Sequence, residues 1–205
     1  MKVLIGCEES GIMRDAFIAM GHDAMSCDLQ PTRRPGPHYQ GDIMDLKDEH
    51  FDLGIFHPTC TYLTNSGVGW LHKDIARWPK LFEGCDFFNA LKGFNCDRKA
   101  IENPIPHKYA RALVGNYTQL VQPYFFGDMK SKATCFWLYG LPKLEKTNDV
   151  KEEMLLLEKK DWQSCHYASP GPDRARIRSE SHPGMCAAAA SQWGSYVYRN
   201  PTNQL

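Results

Sequence analysis

The chain has 205 residues, 42% of them hydrophobic and 23% charged, and its 24 Lys and Arg balance 24 Asp and Glu to a formal net charge of zero. This composition excludes a disordered or fibrous protein. The neutral balance argues against gripping long nucleic acid through bulk charge, while leaving room for a local basic patch. No run approaches the roughly 18 apolar residues that a membrane-spanning helix needs, so no membrane partner is expected. The apolar N-terminal run at residues 3–6 is too short for a secretory signal, and a cytoplasmic protein is expected. The eight cysteines (7, 27, 60, 85, 96, 135, 165 and 186) contain no Cys-x-x-Cys pair, so no metal site is expected. They read as reduced thiols, mostly in the core.

Residues 2–5 form a short apolar run ending at Gly6. A turn over 7–11 leads into an amphipathic stretch at 12–20, where Met13, Phe17 and Met20 stand at helical spacing. Residues 24–27 read as a second strand ending at Asp28. Strand, glycine-containing turn, helix, strand and acid open a doubly wound α/β sheet. A loop rich in Pro and Arg covers 30–37; Arg33 and Arg34 there fit either phosphate contact or a solvated loop. Gly41-Asp42-Ile43 follows, then an apolar strand at 51–56 that runs into His57-Pro58-Thr59-Cys60. Residues 75–94 are helical in pattern, interrupted at Pro79, and 99–102 read as a strand closed by Asn103-Pro104. Two further strands, 119–126 and 134–138, are expected to pair as a hairpin. Residues 143–160 are a charged insertion, a loop leading into a surface helix. An Ala-rich helix over 182–193 has Gly194 behind it as a stop signal. One domain spanning 1–205 is expected.

Open α/β sheets bind ligands beyond the carboxyl ends of their strands. Here those ends carry Cys7 to Gly11, Asp28, Asp42, His57-Pro58-Thr59-Cys60 and Glu102-Asn103-Pro104. A glycine-bearing turn, an acid after the second strand and an Asp-Ile pair after the third suit an adenosine-containing cofactor. Cys60 and Glu102 then set a nucleophile and a proton donor over one pocket. Taken singly, each residue has a plainer reading. Cys60 fits buried packing, Glu102 a strand-end turn, and the arginines at 174, 176 and 178 a solvated segment. His57 reads as a hydrogen-bonded residue beside the pocket, and Cys135, Phe87, Phe88 and Phe94 as core.

The ordered set resembles the cytosine C5-methyltransferase family. The resemblance lies in residues 5–11, Asp28, Gly41-Asp42-Ile43, Pro58-Thr59-Cys60, Ile101-Glu102-Asn103, Arg174-Ala175-Arg176 and the helix at 183–194. Segments 122–127, 132–138 and 176–179 are similar to the short, single-domain phage and bacterial members. The resemblance implies a Rossmann-like S-adenosylmethionine-dependent methyltransferase fold, mostly parallel with an antiparallel hairpin and helices on both faces. It implies S-adenosyl-L-methionine held by Gly6, Cys7, Glu8, Gly11, Asp28, Asp42, Ile43 and Pro58. It assigns Cys60 as the thiolate that adds to cytosine C6 and Glu102, with a raised pKa, as the acid that protonates N3. Arg174 or Arg176 would hold O2 and lower the thiol pKa, and Asn103 and Arg178 would contact substrate. The group that takes the C5 proton is not identified.

The chain departs from the family pattern at Thr59, which separates Pro58 from Cys60, and at Glu8 and Ser10, where glycine is frequent. Pro104 follows the Glu-Asn pair, and Pro172-Asp173 stands where a Gln is usual. Four residues between Arg178 and Pro183 leave no room for a domain reading DNA through the major groove. The expected partner is DNA, double- or single-stranded, read through 30–38 or 143–160 or through a targeting protein. A free deoxycytidine nucleotide, needing no base flipping, is the alternative. A degenerate nucleotide- or cofactor-binding member and a cysteine hydrolase using Cys60 and His57 are the rivals. The host would be a bacterial or phage-infected cell.

Overall fold

Strand β1 (Lys2–Gly6) alternates its side chains between two cores. Val3 and Ile5 point into one with Ile12, Met13, Phe17, Met185 and Trp193, while Leu4 points into the other with Phe56, Leu81, Cys85 and Phe88. A strand buried on both faces needs helices on both sides, and the apolar run supplies both faces. The computed structural model describes residues 1–171 and 174–202, so Pro172 and Asp173 lie outside the described residues.

Strands β2 (Asp23–Asp28), β3 (His38–Gln40), β4 (Phe51–Phe56), β5 (Cys96–Pro104), β6 (Gln119–Val121) and β7 (Thr134–Tyr139) complete one sheet in the order β3-β2-β1-β4-β5-β7-β6. Strand β7 runs antiparallel to both of its neighbours and the other pairs are parallel. The helices are α1 (Ile12–Ala19), α2 (Val68–Leu71), α3 (Arg77–Lys92), α4 (Lys108–Val114), α5 (Lys151–Leu155), α6 (Lys159–Trp162), α7 (Ser164–Tyr167), α8 (Arg174–Ser179) and α9 (Pro183–Arg199). Helices α1 and α9 cover one face, and α3 and α4 the other. The fold is Rossmann-like α/β, mostly parallel, with an antiparallel pairing of β6 and β7 and helices on both faces, as expected. The strand order reverses between β1 and β4, which opens the binding crevice of such sheets.

Three local expectations are corrected. Pro79 does not interrupt α3; it sits in the first turn, where its missing N–H has no intrahelical partner. Gly194 does not stop α9, which continues to Arg199. Its small size is needed for packing, since a Cβ there would stand 2.5 Å from His22 Nε2. The strand expected over 119–126 ends at Val121 and turns into a 3-10 segment at Pro123–Phe125, because proline cannot donate to a ladder. Residues 143–150 are loop, followed by α5 and α6. Among the described residues no helix is long and apolar enough to cross a membrane.

The start of α9 is fastened at one point. Asp128 accepts from the backbone N–H of Gly184 (3.1 Å) and Met185 (3.2 Å). A Cβ on Gly184 would lie 2.2 Å from the Phe126 carbonyl oxygen. Gly184→Ala is therefore expected to destabilise the fold by roughly 1–3 kcal/mol, as overpacking against backbone does. Urea unfolding of both proteins reads this directly; an unchanged midpoint would refute the close approach.

Candidate active site

At the β1–β4 switch point a cavity of about 360 Å³ is lined by Cys7, Cys27, Asp28, Leu29, Gly41, Asp42, Ile43, His57, Thr59 and Phe87. Cys7 holds a left-handed backbone (φ 58°), a conformation that costs a non-glycine residue roughly 1–2 kcal/mol. Two hydrogen bonds hold it there: Glu8 N–H donates to Cys27 O (3.1 Å) and His57 N–H to Gly6 O (2.9 Å). Asp28 accepts from Gln30 N–H (2.9 Å) and Asp42 caps the next turn by accepting from Met44 N–H (2.9 Å). Two carboxylates stand over an apolar lining of Ile43, Leu29 and Phe87. The space and lining fit an adenosine-sized cofactor: acids for ribose hydroxyls, apolar surface for a flat base.

Four of the eight cofactor residues expected from sequence line this cavity: Cys7, Asp28, Asp42 and Ile43. The other four are not among its lining residues. Gly6 has no room for a side chain, since a Cβ would lie 2.6 Å from Phe56 Cδ1. Glu8 is buried and engaged inside the turn, accepting from Ser10 Oγ and from Gly11 N–H (3.0 Å). Gly11 is left-handed (φ 76°), so glycine is favoured there. Pro58 accepts from Asn103 Nδ2 (2.9 Å). Asn103, expected to touch substrate, thus uses its amide to tie the 57–60 loop to β5. Its Oδ1 is buried without a partner. Sequence did not single out Cys27, Leu29 or Thr59 as cavity residues, whereas His57, expected as a hydrogen-bonded residue beside the pocket, lines it and bonds Glu102; Phe87, expected in the core, packs against the core and also lines this cavity.

Cys60 and Glu102 stand beside the cavity at the ends of β4 and β5. The parallel register pairs Phe56 with Ile101, so His57 comes opposite Glu102 one step on. His57 Nδ1 lies 3.2 Å from Glu102 Oε2, with the two side chains 12% and 15% exposed. A raised Glu102 pKa was expected, and the structure corrects this. Burial pushes the carboxyl up, but the His57 hydrogen bond and the charges of Lys132, His57 and His182 outweigh it and hold Glu102 below the ordinary carboxylate range. The Cys60 thiol is pushed up by burial and then by the Glu102 charge, against the pull of Lys132 and Arg178. Cys7 is pushed up more strongly, by burial and by Asp28, Cys27 and Asp42, with no cation offsetting it.

Helix α8 arrives over this pair. Arg178 is the arginine whose charge acts on Cys60. Arg174 donates from Nη1 to Ala168 O at 2.6 Å, and Arg176 lies two residues further along. Two groups that sequence missed complete the surroundings. Lys132, before β7, donates from Nζ to Glu180 O (3.2 Å) and lowers both Cys60 and Glu102. His182, at the start of α9, has a buried Nε2 without a partner, and burial followed by Lys132 and Lys130 lowers its pKa to about 4.

Each leads to a measurable consequence. Lys132→Gln removes a cation from the thiol, so the pH midpoint of Cys60 alkylation by iodoacetamide is expected to rise; an unmoved midpoint would dissociate Lys132 from the thiol. For His182 the folded pKa lies below the unfolded one, so the unfolded chain binds more protons between about pH 6.5 and about 4. Stability is therefore lost as pH falls through that window. His182→Asn is expected to flatten the loss, measured as urea midpoints across the range.

No protein-family model and no curated protein matches the chain. Among solved structures it is similar to an Escherichia coli protein provisionally named a DNA modification methyltransferase encoded within a prophage. That match has 15% identity and a TM-score of 0.44, covering 67% of this chain and 46% of that one. The chain thus spans about half the length of that protein.

Proposed function

We propose that the protein is an S-adenosylmethionine-dependent methyltransferase acting at C5 of cytosine, most fittingly in DNA. The observation that carries this reading is the juxtaposition of Cys60 and Glu102, facing Lys132 and Arg178, beside the cavity at the strand-order reversal. Cys7, Asp28, Asp42 and Ile43 would hold the cofactor, which supplies an electrophilic sulfonium methyl when bound. Cys60 as thiolate adds to C6 of the ring and turns C5 into a carbon nucleophile. Glu102, once protonated, gives that proton to N3 and drains charge from the ring. The two groups help one another. The Glu102 charge holds the thiol protonated, so protonating Glu102 favours the thiolate as well as arming the acid. Arg178, whose charge acts on Cys60, would contact the base's O2 or its phosphate, with Arg174 or Arg176 on the same helix holding O2 beside it. Asn103 acts by positioning the nucleophile loop.

A second substrate has one observation in its favour. Only residues 180–182 separate α8 from α9, so no recognition domain lies between them. A free deoxycytidine nucleotide would need none. Methyl transfer from isotope-labelled S-adenosylmethionine to duplex DNA, single-stranded DNA and dCMP, with products digested and weighed, tests both. Label in 5-methyldeoxycytidine from DNA supports the main reading, and label in the nucleotide alone supports the second. Label in neither, with cofactor bound, would replace both with a cofactor-binding protein.

A further inference from the structure

A second cavity, of about 270 Å³, is lined by Thr59, Tyr62, Lys80, Glu83, Gly84 and Phe87. It shares Thr59 and Phe87 with the cofactor cavity. Leu63 and Thr64 N–H both donate to Cys60 O (3.0 and 3.1 Å), so the nucleophile and Tyr62 belong to one tight turn. Two cations lie against the Tyr62 ring, the Arg77 guanidinium at 4.8 Å and Lys80 Nζ at 5.7 Å from its centroid. Among the described residues neither forms an ion pair, and Arg77 Nε is buried without a hydrogen-bond partner. Resting on the methyltransferase reading, we propose that this cavity is a second nucleotide subsite, taking the base and phosphate of the nucleotide next to the target cytosine in single-stranded DNA.

The two cavities differ in the charge around them. Asp28 and Asp42 line the first, which suits a cofactor with ribose hydroxyls and no phosphate. The second has aromatic faces at Tyr62 and Phe87, with cations free to neutralise a phosphate. Stacking on an aromatic ring beside a basic side chain holds single strands without reading sequence, because every base has a flat face. A chain of zero net charge thus grips a strand locally instead of through bulk charge. Of the acids nearby, Asp74 accepts from Ala76 N–H (3.0 Å), and Glu83, in the lining, can accept from a base's amino group. A base entering a cavity must leave the duplex stack, which a single strand does at least cost. The frame around Tyr62 is fixed. His107 Nδ1 accepts from Ala110 N–H (3.0 Å), so its Nε2 donates to Tyr62 O (2.9 Å). Gly84 lets the loop settle on α3, since a Cβ there would stand 2.8 Å from Leu63 Cδ1. Trp70, 58% exposed with Lys73 Nζ 5.1 Å from its ring, offers a platform of the same kind for the strand beyond.

Fluorescence anisotropy of a labelled single-stranded oligonucleotide carrying one cytosine reads strand binding whether or not methyl transfer occurs. Arg77→Gln and Lys80→Gln are each expected to flatten the slope of log affinity against log salt by about 0.7, the value for one phosphate contact in a single strand. Tyr62→Leu keeps bulk and removes the aromatic face. It is expected to weaken strand binding by about 5- to 100-fold at fixed salt, the range for losing one stacked base. Affinity for dCMP, which has no neighbouring nucleotide, is expected to be unchanged in all three variants, with folding checked by circular dichroism. A duplex of the same sequence is expected to bind more weakly than the strand. Unmoved slopes and affinities, a dCMP affinity that falls as far as the strand's, or a duplex bound as tightly would overturn the subsite. Methyl transfer by the wild-type protein is followed on the same strand. Transfer with unmoved slopes leaves the methyltransferase reading standing without the subsite. No transfer would overturn that reading and, with it, the assignment of the cavity to the target's neighbour.

Discussion

Replacing Cys60 with serine is expected to abolish covalent capture of a 5-fluorodeoxycytidine oligonucleotide and to cut methyl transfer by roughly 10³-fold or more, the scale on which losing a nucleophile registers. Serine is nearly isosteric, and Cys60 is half-buried on a loop anchored through Pro58 and Leu63, so the fold is expected to be unchanged. Cofactor affinity is expected to be unchanged too, because Cys60 is absent from the residues lining the cavity. The informative comparison is Cys7, a cavity-lining thiol just after β1. Its surroundings are anionic, with Asp28 and Asp42 raising it and no cation opposing them, whereas Cys60 has Lys132 and Arg178. A thiolate forms where cations favour it. Mass spectrometry of the trapped complex distinguishes the two. An adduct that survives Cys60→Ser and maps to Cys7 would move the chemistry to the β1 turn and remove Glu102 from the reaction.

How much of this was legible beforehand depends on the range of the interaction concerned. The sheet was readable because each strand's apolar run and each turn's glycine act locally: β1, α1, β2 and β4 lie within a residue or two of their expected bounds. The strand-end rule then delivered Asp28, Asp42, Cys60 and Glu102 to one edge of the sheet. Where local signals misled, a tertiary contact had overridden them. Gly194 looked like a helix stop and is instead the space into which His22 packs, so α9 gains five further residues beyond it. Phe87, expected in the core, does pack against it, but its other side lines the cavity, a second role that local sequence does not show.

The site's electrostatics could not be read from sequence, because they depend on charges brought together from distant segments. Glu102 sits on a strand, but its ionisation is set by His57, 45 residues away in sequence, and by Lys132 and His182 on other elements. A raised value was expected because an acid that protonates N3 needs one, and burial alone would have supplied it. The one available sequence signal was the pair His57 and Glu102 at the ends of adjacent parallel strands, which register would bring face to face. The Glu8-Ser10 departure from a glycine-rich turn also becomes intelligible. Those side chains bond to each other and to Gly11 N–H, doing with side chains what glycine does by conformational freedom.

Arg14 makes the strongest case that packing and function are joined here. It is fully buried on α1, and its guanidinium donates to Ser26 Oγ (3.2 Å), Thr32 Oγ1 (3.2 Å), Asp15 Oδ1 (2.7 Å) and the carbonyls of Arg34 (3.1 Å) and Pro35 (3.2 Å). Gly36 leaves room for it, since a Cβ there would come within 2.7 Å of the guanidinium. The 30–37 loop, read from sequence as a candidate phosphate grip, is therefore clamped from below, and Arg33 is paired with Glu9 at 2.5 Å. Arg14→Met keeps the volume and strands several acceptors, each costing about 1–3 kcal/mol where water cannot reach. With partial rescue by solvent at the loop carbonyls, about 3 kcal/mol of destabilisation is expected in urea unfolding. The effect reaches the site because Leu29, Gly41 and Asp42 flank this loop and line the cavity. S-adenosylmethionine affinity is expected to fall about tenfold, or 1.4 kcal/mol. Arg34→Met is the control: its ion pair with Asp15 is long, at 3.8 Å, and its side chain is 52% exposed. Such pairs contribute little, so no more than about 0.5 kcal/mol is expected from it. Equal losses in the two variants would mean that loop charge, and not the buried clamp, holds the cofactor wall in place.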